Sequence, residues 1–215
     1  MNNKECCFEL LGKNDFDGLR RLIEADPACA QARDANGVSL VMQLIYRGRC
    51  DLAELIAQKR AIDIFEAASL GRLDRLREAA NDSGALNARS ADGFTALHFA
   101  CFFGKPESAR LLIESGAAVD AVAGNPMAVM PLHSAASARN LEASRLLLEH
   151  GAPVNARQAG GWAPIHAAAQ NGDRAMVELL LRHGADPKLG SDEGKTPAMV
   201  AREKGHREIA ALLEK

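Results

Sequence analysis
The residues best placed to do chemistry are three histidines. His98, His133 and His166 recur 35 and then 33 residues apart in similar settings: Thr95-Ala96-Leu97-His98-Phe99-Ala100, Met130-Pro131-Leu132-His133-Ser134-Ala135 and Ala163-Pro164-Ile165-His166-Ala167-Ala168. Imidazole binds metals and titrates near neutrality, so such a row could hold an ion or move protons. The spacing argues against it. Copies stacked as packed layers stand ~10 Å apart, too far to share one metal. Each ring is instead expected to hydrogen-bond nearby backbone and tie its segment to the next. His150 and His183 end apolar runs, where they can satisfy the last helix carbonyls and complement the helix dipole.

Other reactive groups show no constellation. The sequence has no Gly-x-Ser-x-Gly, no Gly-x-x-x-x-Gly-Lys-Ser/Thr and no His-Glu-x-x-His. Glu107, Glu114, Glu142 and Glu178 recur at helical surface positions and read as a solvated face. Five cysteines without a Cys-x-x-Cys resemble neither a disulfide framework nor a zinc site. Cys101 is expected to be a buried apolar filler and Cys50 to be partly exposed. A lipid on Cys6 or Cys7 would lack a second anchoring signal. No catalytic residue, metal or cofactor is therefore expected.

Composition narrows the class further. Net charge is −2 with a pI near 6.3, which leaves no electrostatic footprint for nucleic acid. The start, Met1-Asn2-Asn3-Lys4-Glu5-Cys6-Cys7, lacks the basic region and apolar run of a signal peptide. No apolar stretch reaches the ~18–20 residues of a membrane span. A cytoplasmic chain is expected.

The elements that carry the histidines are themselves repetitive. Thr196-Pro197-Ala198-Met199 continues the series, Met199 standing another 33 residues after His166, and each of the three histidine copies is trailed by a Leu-rich run and a Gly-Ala pair at 116–117, 151–152 and 184–185. A period near 33 means small units, each unable to bury a core alone, stacked into a solenoid. The pattern Gly-x-Thr-Pro-Leu-His-x-Ala-Ala, then Gly, an apolar helix and Gly-Ala, resembles the ankyrin repeat. It is strong over 91–215 and looser over 1–90.

The resemblance implies an all-α fold with short β-hairpin loops, an ankyrin-repeat solenoid of about seven helix-turn-helix units in a single 1–215 domain. The units run 4–33 as an N-terminal cap, 34–61, 62–90, 91–122, 123–157, 158–190 and 191–215 as a C-terminal cap. Aligned on the histidine position, that slot holds Phe8, Met42, Phe65, His98, His133, His166 and Met199. The interval from Met42 to Phe65 is only 23 residues, so the hairpin near 61–64 is expected to be missing and the row of fingers to show a gap. Asp63-Ile64-Phe65-Glu66 resembles a capping box. Two extra residues within 122–129 should lengthen another finger.

Within a regular unit, Thr95 and Thr196 can cap the first helix, while Pro131, Pro164 and Pro197 suit its first turn. Arg139 stands where a glycine is expected, with Asn140 as the candidate for the left-handed turn.

In ankyrin stacks, hairpin tips and the two residues after the paired small residues face a concave groove. Carried onto this chain, those slots are Tyr46 and Arg47, Ser69 and Leu70, Phe102 and Phe103, Ser137 and Ala138, and Gln170 and Asn171. The fingertips add Val38, Phe94, Met127 to Val129, Trp162 and Lys195. Tyr46, Phe94, Phe102, Phe103 and Trp162 are five of the chain's nine aromatics. Aromatics the fold does not require are the stuff of interface hot spots, so Phe94, Phe102, Phe103, Met127, Val129, Trp162, Gln170, Asn171, Tyr46 and Arg47 are the candidate partner-binding residues. The alternative is that these rings pack internally. Phe99 should be core. The expected function is non-catalytic binding of a protein partner by a monomer, through units four to six. A homodimer using the same apolar strip and an enzyme or ligand site in the groove are the alternatives.

Overall fold
The computed structural model describes residues 3–80 and 82–214. Met1, Asn2, Asn81 and Lys215 lie outside the described residues. The chain is an all-helical solenoid whose helices pair in chain order: α1 (Asn3–Gly12) with α2 (Phe16–Ala25), α3 (Leu40–Tyr46) with α4 (Cys50–Ala57), and α5 (Ile64–Leu70) with α6 (Leu73–Ala80). After a single turn, α7 (Ser83–Leu86), come α8 (Ala96–Phe102) with α9 (Pro106–Glu114), and α10 (Pro131–Ser137) with α11 (Leu141–Glu149). The last pairs are α12 (Pro164–Asn171) with α13 (Arg174–Arg182), and α14 (Pro197–Glu203) with α15 (Arg207–Leu213). A 3-10 turn, Pro27–Gln31, packs between the first two pairs.

Seven-residue helices such as α8 and α10 are too short to persist alone, so stacking must hold them. Successive inner helices α3, α5, α8, α10, α12 and α14 lie against one another, and the α3–α5 junction is the thinnest. Ala100, Ala135, Ala136, Ala168 and Ala169 are fully buried there, their small side chains allowing close approach. Leu112, Leu147 and Leu180 bury the inward stripe of the outer helices.

The fingers between pairs are tighter than strand hairpins. Among the described residues, one antiparallel bridge from Arg33 to Ser39 is the whole β content, so the expected β-hairpins are turns closed by backbone bonds. Asp34 N–H to Val38 O, Ser90 N–H to Phe94 O, Gln158 N–H to Trp162 O and Ser191 N–H to Lys195 O close four of them at 2.8–2.9 Å. A fifth closes from Ala123 to Val129 and is two residues longer. It leans on its neighbour: the Gly124 amide donates to Gly93 O, and the Asn125 amide to Asp92 O. Gly93 has φ of 88°, and a Cβ there would stand 2.9 Å from the Gly124 carbonyl carbon. Only glycine fits.

Between α4 and α5 no finger forms, since α4 ends at Ala57 and α5 begins at Ile64. The expected gap is nevertheless closed. The flanking fingers meet, so that a Cβ on Gly37 would touch that of Ala91 at 3.4 Å. Tyr46 spans the same junction, its hydroxyl donating to Asp92 Oδ2.

A second correction concerns the turn after α10. Arg139 itself takes the left-handed conformation, with φ of 58°. Asn140 keeps a negative φ of −84° as the cap of α11, where its side chain accepts the Ala143 N–H and donates to Cys101 O at 3.1 Å. A short polar side chain is worth more as a cap than as a turn residue.

Candidate interaction groove
The first turns of three inner helices share one device. In α8, α10 and α12 the third helical residue is His98, His133 or His166, and its Nδ1 accepts the amide of Thr95, Met130 or Ala163 at 3.1–3.2 Å. The Thr95 hydroxyl also meets His98 Nδ1, at 2.8 Å. With Nδ1 accepting, the proton resides on Nε2, which donates forward to the next finger. The acceptors are Val129 O at 3.0 Å, Ala156 and Trp162 O at 3.1 and 3.3 Å, and Lys195 O at 3.1 Å. Burial pulls all three imidazoles below their usual range, His98 to about 4, with the bonds to backbone carbonyls opposing it. They are neutral at physiological pH and both nitrogens are committed. Pro131, Pro164 and Pro197 occupy first-turn positions, and Thr196 Oγ1 accepts the Met199 amide at 3.4 Å. His150 Nδ1 meets Leu146 O at 2.9 Å at the end of α11.

The equivalent residue in α5 is Glu66, not Phe65. Asp63 caps the helix, and Glu66 returns to accept the Asp63 amide at 3.0 Å, completing the capping box. The carboxylate is fully buried. It takes two bonds from the Arg60 guanidinium, at 2.6 and 2.9 Å, and one from the Ser39 hydroxyl at 2.6 Å. Burial, then the Glu66 charge, raises the Asp63 carboxyl above its usual range. The Asp-x-x-Glu signature was the signal for this cluster. Arg60 and Ser39 carry none.

The aromatic residues gather mostly at one place. Phe99 is core, as expected, packed edge-on to Phe65 and Phe94 and stacked with Phe103, the centroids 5.6–6.3 Å away. Phe103 continues to Tyr46 at 5.9 Å and Phe102 at 5.2 Å. Phe94 and Phe103 are thus half-buried packing rings. Phe102, Tyr46 and Met127 are exposed to 50%, 42% and 54%. They border a cavity of about 310 Å³ whose walls include Phe94, Phe99, His98 and Asp92. Burial, then the Asp92 bond, holds the Tyr46 hydroxyl above its usual range.

A second cavity of about 430 Å³ lies further along, lined by Trp162, Gln158, Ser137, Gln170 and Asn171. Trp162 is half-buried, edge-on to His166 at 5.2 Å. Gln170 is exposed, whereas the Asn171 amide turns to Ala136 and Ser137 O at 3.3 and 3.1 Å. Three residues expected to face the groove are buried instead. Val129 is buried, its carbonyl receiving His98. Ser69 and Leu70 are buried too, with the Ser69 hydroxyl bonded to Phe65 O. Arg47 is exposed but folds onto Gln43 and lines neither cavity.

The arrangement suits binding. Among the described residues no three His, Cys, Asp or Glu side chains are placed to share a metal. Cys7, Cys29 and Cys101 are buried and Cys50 is exposed. No described helix is long and apolar enough to cross a membrane. A family model described as ankyrin repeats (3 copies) matches residues 64–158 and, overlapping it, 132–215. No curated protein matches the chain.

Proposed function
We propose that this chain, which belongs to the ankyrin repeat family, is a non-catalytic interaction module whose concave groove, between Tyr46 and Asn171, docks a partner protein. The observation that carries the reading is the exposure of Phe102, Met127 and Tyr46 around an apolar cavity. Phe99, Phe103 and Phe94 already serve the core and Tyr46 ties the fingerless junction, so Phe102 and Met127 at the rim are surplus to folding. Rings and methionine in a preformed hollow bind at little ordering cost, and a few such residues dominate affinity. The Trp162 cavity, with Gln170 beside it, supplies adjacent polar contacts.

The test compares capture from the source-cell extract by the wild type and by Phe102→Glu/Met127→Glu, after confirming equal melting temperatures. The variant should lose the partners that the wild type recovers reproducibly. Undiminished recovery of the same proteins would sink the reading.

A further inference from the structure
The cavity at Tyr46 has one carboxylate among its otherwise largely apolar walls. Asp92 sits there, its Oδ1 accepting from the Ser90 hydroxyl and its Oδ2 from the Tyr46 hydroxyl. Both donors are neutral. Among the described residues no Lys, Arg or His nitrogen lies within 4.0 Å of it, whereas Asp51, Asp63, Glu54, Glu66 and Asp192 each have a guanidinium that close. Nearby Arg89 is turned to Val122 O instead. Asp92 therefore has no cation in direct contact, although Arg33 and Arg89 line the adjoining cavity with it, and each carboxylate oxygen keeps a lone-pair site after its one hydroxyl bond.

We propose that this cavity takes an arginine side chain of the partner protein, its guanidinium on Asp92 and its stem along Phe102 and Met127. The inference rests on the groove being the docking face and names what enters it. Charge complementarity selects a cation, because an apolar occupant would strip water from Asp92 without replacing its bonds. Geometry selects arginine over lysine. A planar fork can reach both free lone-pair sites while its face lies on an aromatic ring, and an ammonium cannot do both. The cavity, about 310 Å³, is at the small end of ligand sites and suits one long side chain. Tyr46 fixes the carboxylate from across the fingerless junction, so the site draws on both flanks of it.

The test is an NMR titration of the labelled full chain with N-acetyl-arginine-methylamide, against the matched citrulline, lysine and norleucine amides. Saturable shifts should appear at Tyr46, Asp92, Phe102 and the Met127 methyl with arginine. Lysine should bind roughly tenfold more weakly, citrulline should give no response, and Asp92→Asn, with its dispersed spectrum intact, should lose the arginine response. Equal responses to norleucine or citrulline, or an arginine response retained in Asp92→Asn, would overturn the proposal. Shifts that follow protein concentration with no probe present would assign the cavity to a second copy and overturn it as well. Partners lost from Phe102→Glu/Met127→Glu, with no arginine response in the wild type, would sink this inference and leave the groove reading standing.

Discussion

At the start of α5 the third helical residue is Glu66, whereas α8, α10 and α12 carry His98, His133 and His166 there. Both side chains fold back to their own helix cap, and both then reach a neighbouring unit. The histidines look forward and donate to a finger carbonyl. Glu66 looks back and accepts from Ser39 and Arg60. The difference follows from the missing finger. Where a loop follows, it presents carbonyls and calls for a neutral donor. Where α4 runs almost directly into α5, the neighbours are a hydroxyl and a guanidinium, which call for an acceptor. One position, two partners, opposite polarity.

The two ties should fail differently. Arg60→Ala leaves the buried Glu66 charge unpaired and is expected to cost about 3–5 kcal/mol, whereas His133→Gln should cost about 1–3 kcal/mol. Urea melts of the two variants check this, and equal losses would erase the contrast.

Acid should separate them next. His98 is held at about 4 when folded and returns to its ordinary 6.5 when unfolded. Between those values the unfolded chain binds more protons, so its contribution is complete above about pH 6.5 and fades as pH falls toward 4. The loss reaches about 3 kcal/mol. Asp63, raised by burial, acts in the opposite sense, so the reading is the difference between wild type and His98→Gln across that window. Parallel curves would remove His98 as the source.

The smallest expected effect compares the finger contacts. Gly93→Ala drives a Cβ to 2.9 Å from Gly124 at positive φ and should cost about 1–3 kcal/mol. Gly37→Ala meets Ala91 at an ordinary 3.4 Å and should cost less, on the order of 1 kcal/mol. Thermal denaturation ranks the two.

The stack of helix pairs was legible because apolar periodicity and repeated motifs report packing that each unit shares with its neighbours. The register of α5 was misread by one residue, with Phe65 in place of Glu66, because the finger that normally anchors the alignment is absent. Tyr46 meeting Asp92 follows from two fingers leaning together over that absence, a distance that no local pattern encodes. Val129 lay in a stretch read as a bulging tip, but the longer loop turns its backbone toward His98 and leaves Met127 at the rim. Phe102 and Phe103 are adjacent and alike in type, yet one is exposed and the other stacks on Phe99. Type alone cannot divide them, because the helix end decides which ring faces out.

The imidazole row also gives the molecule a direction. Because each buried ring hands its proton to the loop made after it, a pair of helices emerging during synthesis keeps one polar hydrogen without a home until the following segment arrives. Trimming α14 and its finger would orphan His166, while removing α1 and α2 would orphan none of the three rings. In α14 the same place is held by Met199, 49% exposed, a side chain that asks nothing of any successor.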